Sequence, residues 1–141
     1  MKRTAKTEYA AIAVLELARH WHADEPVRVR QICAAHGVPS RFLVQILLQL
    51  KAAGLVASTR GVGGGYQLVR PPEEITLEDV VRIFAGPDEP PMSRSPHSRS
   101  LAALRDAWTD ATEAEAAALR SITFADLAER TRIGNEAMYY I

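Results

Sequence analysis

Ser58-Thr59-Arg60-Gly61-Val62-Gly63-Gly64-Gly65-Tyr66 stands between two short apolar runs, Leu55-Val56-Ala57 and Tyr66-Gln67-Leu68-Val69. Glycine tolerates positive φ and close backbone approach, so a glycine-rich tip between strand-like runs predicts a β-hairpin. A Walker loop would need Gly-Lys-Ser/Thr after its glycines, yet Gly65 is followed by Tyr66. A dinucleotide fingerprint would need a third glycine where Tyr66 stands and an acid about 20 positions on. Both phosphate-cradle readings fail. A wing beside a DNA-binding helix, with Arg60 at its mouth, is the better one.

The residues upstream supply that helix. Val29-Arg30-Gln31-Ile32-Cys33-Ala34-Ala35-His36 reads as a helix closed by Gly37, a residue suited to the left-handed position after a helix end. Val38-Pro39-Ser40 restarts the chain, with Pro39 suited to a first helical turn. The next helix runs to about Ala53, before Gly54. Its inward stripe is Phe42 or Leu43, then Ile46, Leu47 and Leu50, the i, i+3, i+4, i+7 pattern. Two helices across a glycine turn make a helix-turn-helix, whose second helix meets the major groove by its N-terminal residues. Ser40, Arg41 and Gln45 are the candidates to read bases. Pro39, Arg28 and Lys51, together with Gly61, Gly63 and Gly64 of the hairpin, complete the expected DNA face. Val44 and Leu48 fall on the outer side of the reading helix. There they either touch thymine methyls or pack against a neighbouring element.

A first helix is expected over residues 4–19, capped by Thr4 or Thr7. Lys2, Arg3 and Lys6 crowd its start against the helix dipole, which suggests phosphate contacts or simply a solvated terminus. Net charge is zero over the 141 residues, but it is polarised. Residues 1–70 hold ten Lys/Arg against four acids, a net of +6, and the remainder seven arginines against thirteen acids, a net of −6. Unless this split is chance, the first half is the one that meets a polyanion.

Downstream, Ile75-Thr76-Leu77-Glu78-Asp79 opens a helix with a Thr-x-x-Asp capping box, and Ile122-Thr123-Phe124-Ala125-Asp126 nearly repeats it. The repeat is too short for duplicated domains. Residues 86–100 hold four prolines and four serines and read as a loop. A long helix then carries Leu101, Leu104, Trp108, Ala111, Glu115, Ala118 and Ile122 at 3–4 spacing, apolar except at Glu115. Such a stripe needs cover, expected from a second copy of the chain or from this chain's own core. The expected organisation is residues 1–85 as a winged helix-turn-helix domain, 86–100 as the loop, 101–130 as dimerisation helix plus short capping helix, and 131–141 as a flexible tail. The fold class is mainly α with a small β-hairpin.

No apolar run approaches the roughly 18–20 residues of a membrane span, and the basic start, followed at once by Glu8 and Tyr9, does not read as a signal peptide. One cysteine, Cys33, leaves no internal disulfide framework. The expected compartment is the cytoplasm. No nucleophile–base pair or paired carboxylates emerge, and His20, His22, His36 and His97 have no motif spacing, so an enzyme is not expected.

The chain resembles the Rrf-two family of bacterial winged-helix transcription regulators. The likeness runs through Lys6-x-Glu8-Tyr9-Ala10, Gly37-Val38-Pro39, Leu50-Lys51-Ala52-Ala53-Gly54-Leu55-Val56 and Ser58-x-Arg60-Gly61-x-Gly63-Gly64-Gly65-Tyr66-x-Leu68. It continues through Ile75-Thr76-Leu77-x-Asp79-Val80, Trp108 and Ile122-Thr123-Phe124-x-Asp126-Leu127. The resemblance implies a homodimer joined by the long helix on a pseudo-palindromic operator, with Arg60 in the minor groove. The position of Val44 is often an acid in that family, so its operator preference does not carry over. Many members hold an iron–sulfur cluster on three cysteines before the long helix. Here that stretch reads Pro90-Pro91-Met92-Ser93-Arg94-Ser95-Pro96-His97-Ser98-Arg99-Ser100, without the thiolates such clusters require. Glu8, Cys33, His36 and His97 remain conceivable ligands of a single zinc or iron ion, although a small buried residue is the ordinary reading of Cys33. The expectation is a cluster-free repressor of double-stranded DNA with an unassigned effector. A mononuclear metal or redox sensor, or a protein-interaction module on the same scaffold, are the alternatives.

Overall fold

A computed structural model describes residues 4–85 and 98–139, with side chains as far as residue 134 in the last helix. Lys2, Arg3, His97 and most of the Pro/Ser-rich loop lie outside the described residues. Helix α1 (Ala5–Arg19) starts at Thr4, whose Oγ1 accepts from the Thr7 amide at 3.2 Å. Thr7, the other expected cap, lies buried one turn in with its hydroxyl 3.0 Å from that of Thr4. Ala10, Ala13, Val14, Leu17 and Ala18 are buried, and the small residues let neighbouring elements come close. Helix α1 is the hub, touching α2 (Val29–His36), α3 (Ser40–Ala52), α4 (Leu77–Phe84), α6 (Phe124–Tyr139) and the hairpin.

Between α2 and α3 the chain turns at Gly37, whose φ of 66° is the conformation that suits a residue without Cβ. Pro39 sits at the N-cap of α3, one position before the first helical turn. Leu43, Ile46, Leu47 and Leu50 are buried, whereas Phe42 faces outward, so the inward stripe passes through Leu43.

Strands β1 (Val56–Thr59) and β2 (Gly65–Leu68) pair antiparallel, Val56 opposite Leu68 and Thr59 opposite Gly65. A third segment joins them. Val27 exchanges both backbone hydrogen bonds with Tyr66, at 2.9 and 2.8 Å. A Cβ on Gly65 would lie 2.5 Å from the Val27 carbonyl oxygen, and one on Gly64 would lie 2.3 Å from that of Thr59. These two glycines are therefore demanded by the hairpin's own packing.

The two Thr-x-x-Asp phrases form capping boxes, Thr76 with Asp79 and Thr123 with Asp126. They also pair with each other. Thr76 bridges Thr123, the Leu77 amide donates to the Ile122 carbonyl at 3.0 Å, and the Phe124 amide to the Ile75 carbonyl at 2.9 Å. This clamp fastens the start of α4 to the start of α6, with Ile75 and Phe124 fully buried beneath it.

Helix α5 (Arg99–Arg120) begins within the expected loop, capped by Ser98, and stops before Ile122. Ile122 is thus part of the clamp and not of the long helix's stripe, because Ser121 ends the helix and the Ile122 carbonyl turns to Leu77. Of the tail expected over 131–141, the described residues 131–139 belong to a helix. Helix α6 continues to Tyr139, through Gly134 and Asn135, which are weak helix formers. Thr131 returns a hydrogen bond to the Leu127 carbonyl, and Arg132 pairs with Glu129. Helix α6 also packs on α1 and on the 3₁₀ turn Pro72–Glu74, a docking that residue order does not announce.

Candidate nucleic-acid interface

With about 100° between successive residues of a helix, Arg41, Gln45 and Leu48 lie roughly opposite the buried stripe of α3. Val44 and Lys51 flank them toward the hairpin, where Lys51 Nζ donates to Ser58 Oγ at 2.8 Å. Phe42 and Gln49 flank them on the other side. There they and Gln45 border a groove with Ala5, Lys6 and Tyr9 of α1. Ser40 and Arg41 are exposed in the first turn, as a groove-entering helix requires. The Lys51–Ser58 bond ties the end of this helix to β1 and so sets the wing's position beside it. Lys6 lies over the Phe84 ring, 5.7 Å from its centroid, which draws this expected phosphate contact toward α4.

The hairpin tip presents Arg60 and Val62, both exposed. Gly61 and Gly63 hold φ values of 96° and 82° with open space around them, so a duplex can approach their backbone. Gly64 is buried, its amide donating to the Gly61 carbonyl at 3.0 Å. Its necessity comes from the turn.

Charge pairing is uneven along the chain. Arg19, Arg82, Arg120 and Arg132 are bound to Glu16, Glu78, Glu113 or Glu129. Hydrogen bonding to Glu113, reinforced by the Glu78 charge, holds the Arg120 guanidinium above its ordinary pKa. Among the described residues no carboxylate pairs with Arg28, Arg30, Arg41, Arg60 or Arg70. All five are exposed and belong to the helix-turn-helix and hairpin segment. Arg30 and Arg70 are absent from the sequence-derived face. Their signal is the same surplus of basic residues in the first half.

The corner between α2 and α3 is braced from behind. Glu16 of α1, a buried carboxylate, accepts from Arg19 at 3.2 Å, and its Oε2 lies 2.9 Å from His36 Nε2. The His20 ring also bonds the Glu16 carbonyl at 2.9 Å. His36 is thus spoken for by Glu16. Among the described residues no three His, Cys, Asp or Glu side chains converge as a metal site would need. Cys33 is half-buried in α2. The donor set does not fit an iron–sulfur cluster, which needs several thiolates where this chain has a single cysteine.

Comparison with known proteins agrees with this geometry. The model of the Rrf2 family, described as an iron-dependent transcriptional regulator, matches residues 3–130. The chain belongs to the Rrf2 family. CymR of Bacillus subtilis, a helix-turn-helix transcriptional regulator, is 34% identical over the full length of both chains. The structure of CymR, the global cysteine regulator of that organism, superposes with a TM-score of 0.79 over 92% of this chain and 98% of that one. The structure of IscR of T. potens aligns with a TM-score of 0.77 at 30% identity, covering 93% of this chain and 88% of that one. A helix-turn-helix regulator of Mycobacterium tuberculosis is 37% identical over 91% of this chain and 81% of its own length. As a member of this family the chain is a DNA-binding transcriptional regulator with a winged helix-turn-helix fold, and not an enzyme. No described helix is long and apolar enough to cross a membrane.

Proposed function

We propose that this Rrf2-family regulator is a homodimeric, sequence-specific repressor that acts in the cytoplasm without an iron–sulfur cluster. The observation that carries it is the run of arginines through the helix-turn-helix and hairpin that no acid neutralises. Among the described residues, Arg28, Arg30, Arg41, Arg60 and Arg70 have no carboxylate partner, whereas Arg19, Arg82, Arg120 and Arg132 outside that segment each have one or more. Unpaired surface cations gain most from a polyanion, because each phosphate contact releases condensed counterions. Affinity then comes from the basic face and specificity from Ser40, Arg41, Gln45 and Arg60.

Dimerisation is supported by α5. Leu104 and Trp108 are 52% and 65% exposed, Ala111 and Ala118 are exposed, Leu101 is half-buried, and no residue of the helix is buried in the single chain. A second copy covering that stripe would place two reading helices on one duplex, which calls for half-sites about one helical turn apart.

Selection of bound fragments from random DNA, with sizing of the protein and its complex, tests the proposal. An enriched inverted repeat bound by two chains is expected. Failure to enrich any sequence, or a monomer on DNA, overturns it. Anaerobic purification with metal analysis tests the cofactor reading, with iron far below one equivalent as the expected result.

A further inference from the structure

We infer that Val44 and Leu48 read the C5-methyl groups of thymine, making this protein's operator specificity depend on apolar contacts in the major groove. The inference rests on the DNA-reading function proposed above. Leu48 is 48% and Val44 38% exposed, and neither belongs to the buried hydrophobic core. Leu48 lies in line with Arg41 and Gln45 on the outward face, about one turn beyond Gln45 and two beyond Arg41. Val44 sits beside them toward the hairpin.

Two apolar side chains on a face meant for base edges have no hydrogen bond to offer. The major groove presents one apolar group, the methyl of thymine. The four positions between Val44 and Leu48 span about 6 Å, and base pairs succeed one another every 3.4 Å or so. The methyls they read therefore fall within about two base pairs of each other. Charge favours a duplex over a protein as occupant. Arg41 stands on the same outward face, Arg28 and Arg60 belong to the same helix-turn-helix and hairpin segment, and none of the three has a carboxylate partner among the described residues. An apolar protein surface would strip their water and return no counter-charge, a costly burial.

The test is a uracil scan of the selected operator. Replacing one thymine by uracil deletes only the methyl and leaves every hydrogen-bonding edge intact. In competition binding at fixed salt, the wild-type protein should lose about fourfold at one or two positions per half-site, the worth of one methyl-sized contact. Leu48→Ala and Val44→Ala should each abolish the loss at one of these positions and keep the wild-type melting temperature. Leu48→Met should retain sensitivity, and Ile133→Ala, on an exposed site of α6, should leave the scan unchanged. A flat scan on a tightly bound specific operator overturns the inference while the DNA-binding function stands, as does sensitivity that survives both alanine substitutions. Release of a co-purifying protein by Leu48→Ala, with a flat scan, assigns the face to a protein partner and overturns it too. If no DNA sequence is enriched at all, the underlying function falls and the inference with it.

Discussion

Leu43, Ile46, Leu47 and Leu50 place the apolar stripe of α3 entirely inside the chain, whereas Leu104 and Trp108 leave that of α5 half or more in water. Both helices carry apolar residues at the same spacing, so the spacing alone does not say whose atoms fill the other side. Helix α3 is boxed in by α1, α2 and β1, and its outward face is free for recognition. Helix α5 touches its own chain chiefly at α4, where Arg120 reaches Glu78 at 3.4 Å. The first helix is stabilised by folding. Under the proposed dimerisation the second gains its stability by association, which depends on concentration.

Truncation separates the two situations most sharply. Leu47→Ala deletes a fully buried side chain and should cost about 2–5 kcal/mol by urea unfolding at any protein concentration. Leu104→Ala, at an exposed site of α5, should leave the unfolding free energy of the isolated chain within about 0.5 kcal/mol. Equal losses for the two would show that α5 folds back on its own core.

Trp108→Ala follows in size. A tryptophan at the centre of an interface is the residue type that dominates binding energy, with truncation costing about 2 kcal/mol or more. Sedimentation should show the dimer dissociating at least about tenfold more readily, and operator binding should weaken with it. A dimer unchanged by this substitution would remove α5 from the interface.

Arg60→Ala tests the other member of the comparison. The side chain is exposed and has no carboxylate partner among the described residues, so melting should be unaffected, while operator affinity falls by about 1–3 kcal/mol and the salt dependence shallows by about one unit. Unaltered affinity at fixed salt would end the wing assignment.

What the chain's order made legible was local. The glycine stop at Gly37, both Thr-x-x-Asp boxes, the hairpin and the spacing of α3 depend on residues within a turn or two of one another. What it hid was distant. The Val27–Tyr66 bridge joins positions 39 apart in number, with no run of alternation around Val27 to betray a strand. The two Ile-Thr phrases are visible as a repeat, but their pairing is not. Helix α6 reaches Tyr139 partly because α1 and the 3₁₀ turn support it. At the site, residue types were readable, and the surplus of basic residues was plain. That Arg41 and Arg60 lack carboxylate partners while Arg120 has two is knowable only once the carboxylates have positions. Gly64 shows the same limit, since its run suggested contact with a duplex and its close neighbour is the Thr59 carbonyl.

The clamp between the two Ile-Thr phrases joins the DNA-reading part to the helices that follow, and it offers the smallest and finest test. Its two capping boxes have the same chemistry and nearly the same geometry, with amide-to-carboxylate distances of 2.9 Å at Thr76 and 3.2 Å at Thr123. They differ in surroundings. The Thr76 box is partly buried and the Thr123 box is exposed, so water replaces a lost bond more readily at Thr123. Thr76→Ala should therefore cost about 1–2 kcal/mol and Thr123→Ala about 0.5–1 kcal/mol, within the range for lost helix caps. Both should show in urea unfolding, and neither should alter the uracil scan. A larger loss at Thr123 would mean that a second copy buries this box in solution, moving the clamp from the intrachain side of the comparison to the side of α5.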